Sequence, residues 1–431
     1  MRLSALTAYG GLYLDQSRFW TLRSNSFPNQ SLPIFFNYNT YAIQVPYFTH
    51  DADTSNTVNG LPLLWITNAT AGAWNSSYGW IVIANSSNIS AASTSPLVRN
   101  MEGVLLVAVN DSVVRDVNSS TNQYGLRSWY SHRNTINDAQ FRANAYGALY
   151  LFASNWNHIN RALLRPDVAY TDDGVWFADA SNNNTVDSLD CYQFGYCLYS
   201  EYLSSDLFVI NSTLNGANYG LYSYSPSGPW ILNTTISNSA SMGIALNGAY
   251  YSYYLVANFA ISSSTFFQNY IAFQCYYCAG GIVAGNLFNA SSWVAVYLGY
   301  SSGIVVKDNT VVNASWVLYL NTNADSNKFF HNNFYLSNGQ TYDVGSSNAY
   351  DNGYPSGGNY WSNTTHADLY RGAGQATAGS DGINDTAANL TYGKKDNYPL
   401  SEPWPPYALL VSPANNSVIR ASTVKIGRAH V

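Results

Sequence analysis

The chain has 431 residues, only 10% of them charged, and a formal net charge of −6. An ordinary soluble domain carries about 25% charged residues, so Asn, Ser, Thr and Tyr must supply most of the polar surface. No basic stripe is present to hold phosphate, which argues against a nucleic-acid partner, and no uncharged apolar run of about 18 residues is present to span a membrane.

In chain order, residues 1–55 are irregular, with prolines at 28, 33 and 46 and the pair Phe35-Phe36. They are expected to cap the first unit of whatever follows, or to be a partial segment. Met1 to Leu14 is too interrupted by Ser, Thr and Gly for a signal peptide. Residues 56–65 follow, where Asn59-Gly60 predicts a tight turn between two strands.

A repeat then sets in. Shifting the segment from Gly280 by 23 residues lays Gly280 on Gly303, Asn286 on Asn309, Ser292 on Ser315 and Trp293 on Trp316. Working backwards, a glycine that usually follows an aromatic opens each apolar run, as at Tyr78-Gly79, Tyr124-Gly125, Tyr146-Gly147 and Tyr219-Gly220. The steps from Gly79 to Trp316 all fall between 21 and 27 residues. The runs are short and β-branched, such as Trp80-Ile-Val-Ile83, without helical periodicity. A unit of this length fits three short strands and three turns, stacked at about 4.8 Å. The predicted fold is an all-β, right-handed parallel β-helix over residues 56–348, with Asn286 above Asn309 in an asparagine ladder. Longer steps before Gly174 and Tyr270 place insertions near Leu163–Asp172 and Tyr250–Tyr254, and insertions on a solenoid gather on its binding face.

After Asn348 the period stops. Residues 349–402 are glycine- and turn-rich and are expected to close the open end as a C-terminal cap that buries Trp361. Residues 403–425 predict a proline-stiffened linker and the truncated start of an Ig-like domain. Residues 426–431 match what a common sequencing adapter encodes in frame, and are expected to be foreign to the fold.

Here a resemblance becomes specific. The Tyr-Gly markers, residues 56–65 and the tail Asp351-Asn-Gly-Tyr-Pro-Ser-Gly-Gly-Asn-Tyr-Trp-Ser362, with Ser380-Asp-Gly-Ile383 and Asp396-Asn-Tyr-Pro-Leu400, resemble secreted archaeal β-helix proteins of the periplasmic copper-binding (NosD-type) family. The resemblance covers roughly residues 56–402. It implies a right-handed parallel β-helix related to carbohydrate-binding and sugar-hydrolase solenoids, exported and often joined to Ig-like domains. The copper label belongs to a family role in loading a reductase. This chain differs in its excess of Tyr, its fewer turn asparagines and its cysteines.

Candidate chemistry is sparse. Sugar hydrolysis needs carboxylates converging on one face. Asp172-Asp173 is the best local pair, with Asp187 and Asp190 a coil later and Arg142 near that face by loose counting. Aligned on Gly174, Asp172 falls beside Ala145 and Gln193, so no second carboxylate stacks there and a solvated turn is the plainer expectation. Cys191 with Cys197 and Cys275 with Cys278 are expected as two local disulfides, with a Cu(I) or zinc site as the alternative. His132, His158, His331 and His366 show no metal spacing and are expected at the surface or in turns. Asp381 and Asp385 in Asp-Gly-Ile-Asn-Asp suggest a calcium turn that lacks EF-hand spacing; no other cofactor is implied. Most of the 37 tyrosines are expected to form structural ladders, with Tyr250, Tyr251, Tyr253 and Tyr254 as carbohydrate-binding candidates. Sixteen Asn-x-Ser/Thr sequons, among them Asn68, Asn118, Asn211, Asn313 and Asn389, point to a secreted glycoprotein, although this composition also generates sequons by itself. The expected function is a non-catalytic, extracellular or cell-surface β-helix that binds glycans or neighbouring surface proteins. A polysaccharide lyase or hydrolase and a copper-handling accessory protein are the alternatives.

Overall fold

The computed structural model describes residues 12–15, 18–27, 34–37, 44–170, 172–201, 203–248, 255–335 and 340–404. Residues 403–425 and 426–431, apart from 403 and 404, lie outside this set, as do Tyr250, Tyr251, Tyr253 and Tyr254.

The chain winds as a right-handed parallel β-helix of three sheets. The first has 15 strands and the other two 12 each. One coil shows the plan: Glu102–Asn110 in the first sheet, Val113–Arg115 in the second and Asn118–Ser120 in the third. Each strand pairs in parallel with its equivalent one coil on, as Thr135–Asn137 does with His158–Asn160. At the start, Thr57–Val58 and Leu61–Thr67 form an antiparallel hairpin. Its turn is Asn59-Gly60, with both φ angles positive as the tight hairpin turn requires.

Inward positions stack in apolar columns. Leu126, Leu149, Val175, Leu198 and Leu221 line the first sheet, and Ile136, Ile159, Val186 and Val209 the second, all at 1% exposure or less. Each corner turns on a left-handed residue that is usually not glycine: Asp111, Arg133, Trp156 and Asn183 repeat between the first two sheets. The following residue points inward and satisfies the backbone that the corner leaves unpaired. Asn157 Oδ1 accepts from the Asn134 backbone N–H at 2.9 Å, while its Nδ2 donates to Ser131 O at 3.0 Å. The Asn286–Asn309 ladder is present at 3.0 Å and continues through Asn332.

The register departs from a uniform 23 residues. In the third sheet Leu287 pairs with Thr310, but in the first sheet Val294 pairs with Trp316, a step of 22. The intervening corner is one residue shorter. Trp293 is therefore not the pairing partner of Trp316, although the Trp316 N–H still donates to Trp293 O at 2.8 Å. The marker glycines also split: Gly147 pairs with Tyr124, one residue out of line with Gly125. At Gly125 the interior explains the glycine, because an added Cβ would lie 2.3 Å from Phe141 Cδ1.

Both ends of the first sheet's outer face are covered. Leu22, Phe27 and Phe48 pack with Trp65, Trp80 and Trp129 over the first coils. Beneath them Arg127 pairs with Glu102 at 2.8 Å and lies 3.9 Å from the Tyr124 ring centre. At the other end Tyr342 meets Tyr392 of the tail at 4.7 Å. The tail itself adds Tyr360–Trp361 to the third sheet, and Asn359 extends the asparagine ladder. Trp361 is 1% exposed. Asp396 ties this junction together, accepting from the backbone N–H groups of Asn359 and Tyr398 and from Trp361 Nε1, at 2.8, 3.1 and 2.9 Å. Gly358 leaves room for that carboxylate; a Cβ there would meet Asp396 Oδ1 at 2.0 Å.

Because Asp396→Ala would strand two buried donors and one half-buried one, it should lower stability by about 3 kcal/mol. Urea unfolding of the variant checks this. Removal of residues 349–404 should expose the last coil and cause aggregation; a monomeric product with unchanged melting temperature would contradict the tail's covering role.

Candidate functional site

Between its two covered ends, the outer face of the first sheet carries an aromatic and acidic strip. Three successive strands build it: Asp173–Ala178, Tyr196–Ser200 and Tyr219–Ser223. Val175, Leu198 and Leu221 point inward, while the residues at the first and fourth positions stay half-buried on the outside. Register then makes columns. Asp173 pairs with Tyr196, and Tyr196 with Tyr219; Trp176 pairs with Tyr199, and Tyr199 with Tyr222.

The rings form a continuous surface. Tyr196 stacks on Tyr219 at 5.0 Å and 14°, and on Tyr199 at 5.2 Å and 26°. Trp176 lies 5.6 Å from Tyr199 and 4.9 Å from Tyr150. Tyr222 and Tyr224 meet edge to face at 5.1 Å. Such contacts are each worth about 0.5–1.5 kcal/mol beyond burial, which holds the rings in fixed orientations.

Carboxylates border the rings. Glu201 follows the second strand and accepts from Trp176 Nε1 at 3.2 Å. Burial, partly offset by that bond and reinforced by Asp179, pushes its carboxyl above the ordinary range. Asp173 is pushed up to about 7, first by burial and then by Asp172 and Glu201. Burial, together with Tyr224 and Glu201, likewise raises the Tyr199 hydroxyl. Half-buried rings beside acceptor carboxylates can stack on a ligand's apolar faces and hold its hydroxyl or amino groups.

The expected solvated turn at Asp172-Asp173 is therefore corrected. Asp172 is 8% exposed and Asp173 opens a strand. Asp173 pairs with Gly147 and Tyr196, which places Asp172 beside Tyr146 and Gly195, one residue away from the alignment on Gly174. The charge of Glu201, one coil on, also acts on Asp173, although the register sets Glu201 beside Ala178 at the far end of the strand. Asp187, Asp190 and Arg142 are elsewhere: Asp187 on the second sheet, and Asp190 and Arg142 on the third, where Asp190 pairs with Arg165 at 2.8 Å. Glu201, Trp176, Tyr196, Tyr199 and Tyr222 escaped the sequence reading, and Tyr219 entered it only as a repeat marker. Their signal is the match of Tyr196-Cys-Leu-Tyr-Ser-Glu201 to Tyr219-Gly-Leu-Tyr-Ser-Tyr224, 23 residues apart.

The other candidates disperse. Cys191–Cys197 and Cys275–Cys278 are disulfides with Cα separations of 5.8 and 6.0 Å. All four cysteines lie in the core at 1% exposure or less, so their sulfurs are not available as thiolate ligands. Asp381 accepts from the backbone N–H groups of Gly372 and Ile383, and Asp385 from those of Leu369 and Tyr370, so both carboxylates hold turns of the tail. Among the described residues no group of three or more His, Cys, Asp or Glu is arranged to hold a metal ion. His331 occupies a corner, yet it is only 8% exposed because Trp404 stacks on it at 3.6 Å. No helix among the described residues is long and apolar enough to cross a membrane.

A family model described as a right handed beta helix region matches residues 196–369. No curated protein matches the sequence. Solved structures with a similar fold include the A-module of a mannuronan C-5 epimerase from Azotobacter vinelandii, at 10% identity and TM-score 0.44, covering 65% of this chain and 88% of that one. The tailspike of E. coli bacteriophage HK620, solved with a pentasaccharide, is 9% identical with TM-score 0.45, covering 67% and 72%. PfbA, a surface adhesin of Streptococcus pneumoniae, is 12% identical with TM-score 0.38, covering 62% and 83%.

The Asp173 carboxyl predicts a pH effect on stability. Its folded value of about 7 lies above the ordinary 3.8, so the folded protein holds this proton more tightly than the unfolded chain does. That stabilisation is complete below about pH 4 and is lost as pH rises through about 7. Asp173→Asn should therefore gain up to about 4 kcal/mol over wild type at about pH 8 and little at about pH 4. Melting temperatures of both proteins across this range check the sign.

Proposed function

We propose that the protein is a secreted or cell-surface β-helix that binds glycans, without cleaving them, on the outer face of the first sheet between Trp176 and Tyr224. The observation that carries this reading is the double column of half-buried outward rings, Trp176-Tyr199-Tyr222 and Tyr196-Tyr219, bordered by Asp173 and Glu201 on the face between the N-terminal segment and the tail. Sugar rings offer apolar faces to such a surface, and their hydroxyls donate to carboxylates. Two buried disulfides and exposed sequon asparagines at positions 68, 211, 313 and 389 support an oxidising, extracellular setting.

Polysaccharide cleavage is the second reading, favoured by one feature: burial and its acidic neighbours Asp172 and Glu201 push the Asp173 carboxyl up to about 7, the range of a proton donor. Release of reducing ends from a bound polysaccharide separates the two readings. With the four cysteines bridged, copper handling draws no support from them.

A glycan array with wild type, Trp176→Ala and Tyr199→Ala tests the proposal. Each substitution should weaken binding about tenfold, the loss of one stacking contact near 1.4 kcal/mol. Binding that survives both changes would move the site off this face.

A further inference from the structure

We propose that a cavity between the last coil and the tail is a separate binding site that takes one uncharged sugar residue. The cavity measures about 320 Å³, at the small end of the range for ligand sites. One of its lining residues, Thr341, lies five strands along the first sheet from the strand of Tyr222, about 24 Å at the strand spacing. The site therefore stands independently of the aromatic face. Register builds its floor. The inward column Leu221, Ile244, Phe273, Val296 and Leu318 ends at Thr341, a hydroxyl where the coils before it place an apolar side chain. Trp361, paired with the inward Phe334 on the third sheet, and Ala388 of the tail complete the floor, all three at 6% exposure or less. Asn363, Thr365, Thr386 and Asn389 stand exposed at the rim, and none of the four forms a side-chain hydrogen bond among the described residues.

The lining defines the ligand. Gaps left empty by imperfect packing are apolar, whereas this cavity carries five threonine hydroxyls and two asparagine amides. Its wall also borders a buried polar surplus: Asn384 Nδ2 donates to Thr364 Oγ1 at 3.2 Å, while Asn384 Oδ1 has no partner among the described residues. None of the described lining residues is charged, so a uronate or an amine would lose hydration without meeting a counter-charge. A purely apolar ligand would cover the free hydroxyls and amides and leave them unbonded. A neutral sugar meets both demands, because Thr and Asn side chains donate and accept as sugar hydroxyls do, and Trp361, Ala388 and Leu390 offer apolar surface to its carbon face. Two sources can supply such a residue. One is the end of a free glycan. The other is a sugar attached to Asn363 or Asn389, which open the sequons Asn363-Thr-Thr365 and Asn389-Leu-Thr391 at this same rim.

Calorimetry and saturation-transfer NMR on the full chain, made in a host without N-glycosylation, test the site. The probes are methyl glucoside, methyl mannoside, N-acetylglucosamine, glucuronate and glucosamine. At least one of the three neutral probes should bind with a Kd at or below about 1 mM, and the two charged ones about tenfold more weakly. The double variant Thr365→Val, Thr386→Val should weaken the neutral probe about tenfold. Should that variant lower the melting temperature, Asn389→Ala serves as the second test of the rim. Absence of binding by every neutral probe, a cavity that holds only water, would overturn the inference and leave the glycan reading of the aromatic face intact. Binding that the rim variants leave unchanged would place the sugar elsewhere and overturn it too, as would equal binding of the charged probes. Protein from a glycosylating host separates the two sources, and either result upholds the site. A sugar mass on Asn363 or Asn389 that abolishes binding of the free probe assigns the cavity to the protein's own glycan, and retained binding assigns it to the end of a free one.

Discussion

The structure depends on one constraint: every coil must return its backbone to the hydrogen-bonding line of the coil below. Parallel pairing runs through all three sheets, so each corner has to turn sharply and still leave no buried N–H or C=O without a partner. The left-handed residues at Asp111, Arg133, Trp156 and Asn183 make the turn. The inward Asn and Ser side chains that follow them complete the hydrogen bonding, and this is why asparagine recurs in a fold with so few charges. Asn359 and Asp396 carry the same solution into the tail, where the stack would otherwise end on open backbone.

Once the backbone is in register, side chains have no choice of neighbour. A residue repeated in two coils becomes a stacked pair, inside or out. Inward, that yields Phe266 on Phe288 at 4.6 Å. Outward, it yields the tyrosine columns. The raised Asp173 and Glu201 carboxyls follow first from burial and then from nearby acids, Asp172 and Glu201 for the one and Asp179 for the other. The N-terminal segment packs over the first coils of this face and Tyr392 of the tail meets Tyr342 at its last, with half-buried rings in between.

Much of this was legible in the sequence. The period, the three-strand coil, the Asn286–Asn309 ladder, the Asn59-Gly60 turn and the two cysteine pairings all follow from local spacing. The site was not, for a physical reason. Reading along the marker glycines assumes a constant step, whereas corners absorb single residues, as between Asn289 and Trp316. A one-residue slip exchanges inside for outside, and it set Asp172 against Ala145 and Gln193 instead of bringing Asp173 into line with Tyr196. Glu201 stayed hidden because its importance lies in the coil before it, through the Trp176 indole. Outward triplets such as Tyr196, Tyr199 and Glu201, compared across coils, carry the signal that the glycines obscure.

The placement of the disulfides has a mechanical consequence. Cys191 and Cys197 join a third-sheet strand to the first-sheet strand that follows it, and Cys275 and Cys278 join consecutive strands of the first and second sheets. Each bond braces one corner between consecutive strands, and neither links strands that lie one above the other. A load applied along the long axis would therefore meet only hydrogen bonds and side-chain contacts, and the windings could peel away one after another. The two bridged corners would keep their angle after detachment, giving those strands a head start in rejoining the stack. A load across the axis would pull directly against the sulfur links. The molecule is thus covalently braced against being flattened and free to be drawn out, the behaviour of a spring clipped at two of its turns.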